Sequence, residues 1–254
     1  MCISALNNAG APGKLRSLLK AALWTLVIIA FPVVSGVIAV VNHLDGPASR
    51  LLQAAFMLLS LIPLLLYGRW KRISKRDLLL QGGSRAGFAA FYYGLPLLLV
   101  FLPALVTGIA FTAPALCLAT LFFTLTVGLA EELYFRGLIL HLLQKSFSTG
   151  GAVVASSLLF GLGHASSALM ARSALMVALT VLSALIFGWL AAEIALLLEH
   201  IPVLMLFHAL FNFIDYHMTA QGDALAAAYF ARGAVMLALA LWLFLGRRRK
   251  ASRS

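Results

Sequence analysis

Ala130-Glu131-Glu132-Leu133-Tyr134-Phe135-Arg136-Gly137 puts two carboxylates and a guanidinium inside an apolar run that reads as a membrane-spanning helix. One ionisable side chain at the centre of such a helix costs roughly 2.5 to 3.5 kcal/mol even on the lower, insertion-based scale, so three of them close together require partners. Glu132 and Arg136, at i and i+4, share a helix face at pairing distance. Glu131 points about 100° away and is left for a partner elsewhere in the chain.

Working outward, the 254 residues are 63% hydrophobic and 11% charged, against about 25% charged in soluble domains. The composition is that of a polytopic membrane protein. Apolar runs near 21–41, 51–68, 87–111, 115–143, 151–170, 174–192, 197–216 and 227–246 predict an all-α bundle of about eight transmembrane helices in a single integral membrane domain, 1–254. The run 21–41 follows Lys14, Arg16 and Lys20. It exceeds the 7 to 15 apolar residues of a signal peptide, and so reads as a retained anchor. Two cysteines, Cys2 and Cys117, exclude a disulfide framework and a thiolate metal centre.

The net charge of +11 does not point to nucleic acid, because the cations fall in short clusters between apolar runs without an aromatic-interleaved basic face. It reads as topology. Lys14, Arg16 and Lys20, the six cations from Arg69 to Arg85, Lys145, and Arg247 to Arg253 fall on one side, and only Arg50, Arg172 and Arg232 on the other. This asymmetry predicts both termini in the cytoplasm.

Two later stretches answer the search for partners of Glu131. Phe160-Gly161-Leu162-Gly163-His164 places a histidine in the fifth run, and His208-Ala209-Leu210-Phe211-Asn212 places a histidine and an amide on one face of the seventh. With helix ends near Lys145, Gly151 and Leu198, Glu131, His164, His208 and Asn212 lie at about 21, 20, 15 and 21 Å from the cytoplasmic side at 1.5 Å per residue. Four polar groups thus share one layer. Gly161 and Gly163 let neighbouring helices approach. The chemistry implied is water activation by Glu131 with help from His164, attack on an amide, and oxyanion stabilisation by His208 and Asn212. Glu132 and Arg136 would hold the helix and keep charge compensated. The remaining histidines read as interfacial, and Glu193, Glu199 and Asp215 as lying outside the site.

At these residues the chain resembles the CAAX prenyl endopeptidase and bacteriocin-processing family of membrane proteins, also called CPBP or ABI. The family pattern of EExxxR, FxxxH and HxxxN on successive membrane helices is similar to Glu131-Glu132…Arg136, Phe160…His164 and His208…Asn212. The resemblance implies a glutamate-dependent intramembrane endopeptidase with its catalytic core at 115–216. Glu131 would be the catalytic glutamate, His164 its partner on the water, and His208 and Asn212 the oxyanion donors. It implies a membrane-bound or lipid-modified peptide or protein as substrate, and a bacterial inner membrane as location. No cofactor is required by the residues; if zinc is bound, Glu131, His164 and His208 would be its ligands. The alternative functions are a non-catalytic immunity or scaffolding protein binding a peptide in the same groove, and a proton-coupled transporter. The lack of inverted repeats argues against the transporter.

Overall fold

Helices follow one another with short connections throughout the described residues, 13–81, 94–170 and 173–251, of the computed structural model. They are α1 Lys14–Val41, α2 Gly46–Trp70, α3 Gly94–Thr107, α4 Pro114–Gln144, α5 Thr149–Leu169, α6 Ala174–Leu198, α7 Pro202–Asp215 and α8 Gly222–Ala251. Six are long and apolar enough to cross a membrane. The other two, α3 and α7, are shorter. The expected run 87–111 is described only from Gly94 onward; Cys2, Arg85, Arg172 and Arg253 also lie outside the described residues.

The seventh run is corrected by the structure. Residues 197–216 straddle a helix break: α6 ends at Leu198, Glu199 takes the left-handed conformation at φ 49°, and α7 begins at Pro202. A continuous apolar run hides this break because hydropathy does not register φ. α7 is 14 residues long, about 21 Å, and His208 and Asn212 lie only about 9 and 15 Å from its start. The second run is likewise interrupted, at Ser60. Ser60 Oγ donates to the Met57 carbonyl at 2.6 Å, and the Tyr134 hydroxyl donates to the Ser60 carbonyl at 2.7 Å, pinning the break in α2 to α4.

Both ends of α7 are tied down by backbone bonds. At its start the Ile201 N–H donates to the Leu79 carbonyl at 2.9 Å, where the 71–81 loop folds against the bundle. That loop is closed by Ser74, whose N–H and hydroxyl both donate to Asp77 Oδ2. These bonds hold the Asp77 carboxyl below the usual carboxylate range. Beyond its end, the Ala110 N–H donates to the His217 carbonyl at 2.9 Å and the Thr219 N–H to the Gly108 carbonyl at 3.1 Å. These bonds and the bridge between Ile109 and Met218 satisfy non-helical backbone that hydrocarbon would otherwise leave unpaired.

Close crossings bring α7 onto α4 and α6 onto α5. A Cβ on Gly128 would lie 2.4 Å from the Met205 carbonyl oxygen and 2.9 Å from the Ala209 nitrogen, so only glycine lets the α7 backbone reach α4 at this level. Gly161 of α5 meets Leu185 of α6, and Gly188 of α6 meets Ser157 of α5. The core runs without interruption from Ala21 in α1 to Leu243 in α8. Because the Gly128 contact is with backbone, Gly128→Ala is expected to push α7 away, at a cost of about 1 to 3 kcal/mol. A lowered unfolding temperature in detergent together with reduced turnover checks this.

Candidate active site

The two glutamates end the α-helical part of α4, and the next seven residues, Leu133–Ile139, form a π-helical turn in which every residue is buried. Such turns widen a helix locally and occur often at functional sites. Here Ser156 of α5 donates to the Phe135 carbonyl at 3.3 Å, and Arg136 is directed inward between α5 and α6. Its guanidinium lies 4.5 Å from the Phe160 ring centroid, donates to the Gly188 carbonyl at 3.4 Å, and approaches Glu132 Oε1 to 3.2 Å. Cation–π contact and the carboxylate together compensate a charge that is 1% exposed.

Glu132 is fully buried and faces both Arg136 and His208. The same Oε1 that faces Arg136 accepts from His208 Nδ1 at 2.8 Å. The other imidazole nitrogen, Nε2, lies 3.7 Å from Glu131 Oε2. The sequence reading paired Glu132 with Arg136 alone and left His208 for the oxyanion; the structure adds the Glu132–His208 bond, which fixes the ring and turns Nε2 toward Glu131.

Glu131, His164, His208 and Asn212 line one cavity of about 300 Å³, walled by Phe160, Phe187 and Phe211. Three helices therefore converge on it. His164 Nδ1 donates to the Phe160 carbonyl at 2.9 Å, leaving Nε2 as its free nitrogen. This histidine caps the α-helical part of α5, at the switch to a 3₁₀ stretch, rather than sitting within a regular helix. A second cavity of about 160 Å³, bordered by Ile28, Ile29, Phe135 and Gly163, shares Glu131 and His164 with the first. Among the described residues no three His, Cys, Asp or Glu side chains are grouped so as to hold a metal ion. Glu131, His164 and His208, the ligands zinc would take, share a cavity but are not grouped as a ligand set.

Several polar residues differ from the sequence reading. Asp215, expected outside the site, lines the cavity and forms a bidentate pair with Arg232 of α8. Arg232, counted among the loop cations, is 2% exposed and stacks over Phe211 at 4.2 Å. The signal for Asp215 is its spacing, i+7 from His208 and i+3 from Asn212, on the same face of α7. Glu193 is buried too, held by Arg247 Nε at 2.7 Å and Nη2 at 2.9 Å, so that α8 is clipped to α6. His217, read as interfacial, is buried against Phe213 at 4.4 Å.

Residues 113–214 match the family model of the Rce1-like type II CAAX prenyl endopeptidases. Over that stretch the chain is similar to the CAAX/CPBP family. No curated protein matches it. The CAAX-family stretch contains α4, α5, α6 and nearly all of α7, and therefore every residue that brings a carboxylate, imidazole or amide to the cavity except Asp215. Pro32 of α1, Met57 of α2 and Tyr229 of α8 complete the wall from outside that stretch. Six apolar helices describe an integral membrane protein, and the matched stretch supports CAAX-type intramembrane protease activity in general.

Proposed function

We propose that the protein is an endopeptidase that hydrolyses a peptide bond near the end of a membrane-associated or lipid-modified protein or peptide, in a bacterial inner membrane. The observation that carries this reading is the convergence of Glu131, His164, His208 and Asn212 on one cavity. Glu131 takes a proton from a water shared with His164 Nε2, and the hydroxide adds to the scissile carbonyl. His208 Nε2–H, its ring fixed by the Glu132 bond, and the Asn212 amide donate to the oxyanion that forms. Collapse breaks the C–N bond, and Glu131 returns its proton to the leaving amine. Arg136 pairs with Glu132, and Glu132 in turn holds His208.

Asn212 is the group that separates catalysis from simple peptide binding. Asn212→Ala removes one oxyanion donor from a side chain that stabilises no other described residue through a hydrogen bond. The expected result is a fall in kcat of about 10²- to 10³-fold with KM little changed. Cleavage of a membrane-anchored peptide by the reconstituted variant measures it; an unchanged kcat contradicts the assigned role.

A further inference from the structure

The loop 71–81 that follows α2 lines no part of the cavity, yet it touches two of the helices that build it. Leu78 lies against Gly137, next to Arg136 in the π-helical turn of α4, where a Cβ on the glycine would meet Leu78 Cδ2 at 3.4 Å. The Leu79 carbonyl accepts from the Ile201 N–H at 2.9 Å, one residue before α7 begins. His208 and Asn212 follow Ile201 by about two and three helical turns. Leu79 makes its bond from the left-handed region, at φ 54°, and Arg72 near the other end of the loop stands at φ 52°. Bulky side chains hold such backbone only where their surroundings impose it, so the seat of the loop against α7 depends on what else grips the loop.

The outer surface of the loop is strongly basic. Lys71, Arg72, Lys75 and Arg76 are all exposed, and among the described residues none of the four is in an ion pair. Asp77, the carboxylate of the loop, is turned to Ser74 and lies 4.0 Å from His141 of α4. At the same end of the bundle Ser17 Oγ and Ser146 Oγ, 2.8 Å apart, bring Lys14 and Arg16 of α1 beside Lys145. Trp70 marks the depth: it is 73% exposed, with Lys71 Nζ 3.5 Å from its ring centroid. An amphipathic ring at the end of an apolar helix sits where headgroups meet hydrocarbon. Cations at that level face the negative potential that anionic lipid gives a membrane surface.

We propose that anionic phospholipid headgroups of the surrounding leaflet bind the cations of loop 71–81 and, through the Leu79–Ile201 bond, brace α7 in the position the site needs, so that turnover rises with the anionic lipid of the membrane. The inference rests on the protease reading for its effect on turnover, and adds a regulation of that site. Headgroups meet Lys71, Arg72, Lys75 and Arg76 together only while the loop is folded against the bundle. A ligand that favours the seated loop shifts the equilibrium toward it by that difference in affinity. The seated loop in turn fixes the first turn of the helix that carries His208 and Asn212.

The test uses the full-length protein in vesicles of phosphatidylcholine alone and of phosphatidylcholine with phosphatidylglycerol. The probe is a palmitoylated peptide of no net charge, so that lipid charge does not alter its concentration at the surface. Phosphatidylglycerol is expected to raise the wild-type kcat at least about 5-fold with KM little changed. The triple variant Arg72→Gln, Lys75→Gln, Arg76→Gln is expected to match wild type in phosphatidylcholine and to lose most of the rise; Lys71 is left in place because it covers Trp70. The charge-preserving triple Arg72→Lys, Lys75→Arg, Arg76→Lys should keep it. Hydrogen exchange of the Ile201 amide, read without substrate, should slow in phosphatidylglycerol for wild type and not for the glutamine variant. Equal kcat of wild type in the two vesicles, or the same rise in the glutamine variant, overturns the proposal and leaves the protease reading standing. Unchanged exchange at Ile201 also overturns it. Wild type that cleaves in neither vesicle overturns the protease reading, and exchange at Ile201 then decides on its own whether anionic lipid braces α7.

Discussion

Glu131→Gln is expected to lower turnover at least about 10³-fold while leaving the bundle folded. The substitution keeps side-chain volume and removes only the ability to accept a proton. Glu131 is 17% exposed and accepts no hydrogen bond at Oε2 from the described residues, with His208 Nε2 3.7 Å away. Neutralising it therefore strands no buried cation, since His208 keeps its bond to Glu132. Quantitative blotting of membrane fractions and an unfolding temperature within a few degrees of wild type establish that the variant is folded, and a cleavage assay reads the loss. Retained turnover would assign the proton transfer to another group.

The adjacent position is expected to behave in the opposite way. Glu132→Gln leaves the guanidinium of Arg136, itself 1% exposed, without its carboxylate. Removing one partner of a buried pair costs about 3 to 5 kcal/mol, because the remaining charge has neither water nor counter-ion. A clear drop in unfolding temperature and in membrane abundance should accompany loss of activity. The double variant Glu132→Gln, Arg136→Met should recover much of the stability, since both charges are then gone, but not the activity, since His208 has lost the carboxylate that orients it. Two neighbouring glutamates would thus separate into one that acts and one that holds. Equal stability of the two single variants contradicts that division.

Much of this was legible in the sequence because intramembrane charge is so costly that each polar position stands out against Leu, Phe and Ala. The i, i+4 spacing of Glu132 and Arg136 corresponds to a 3.2 Å contact. Glu131, His164, His208 and Asn212 line one cavity, although the later start of α7 places His208 and Asn212 nearer its end than the depth estimate did. The second bond to Glu132 was not legible, because periodicity tells which residues share a face and not which neighbour that face meets. The start of α7 was misplaced since residues on both sides of Glu199 are equally apolar and only the left-handed turn divides them. Arg232 and Arg247 were counted as topological charges. A charge count near helix ends cannot see that Asp215 and Glu193 lie opposite them on other helices. Gly128 gave no signal of its own, for its role depends on the backbone of α7, 77 residues away at Met205.

The most direct test of the central claim, that Glu131 activates water against a peptide bond inside the bilayer, is hydrolysis of a membrane-anchored peptide by the purified, reconstituted protein in ¹⁸O-labelled water. Mass spectrometry should find one ¹⁸O in the new carboxyl group of the N-terminal product with wild type and no such product with Glu131→Gln. Labelled product formed at the wild-type rate by Glu131→Gln would contradict the account.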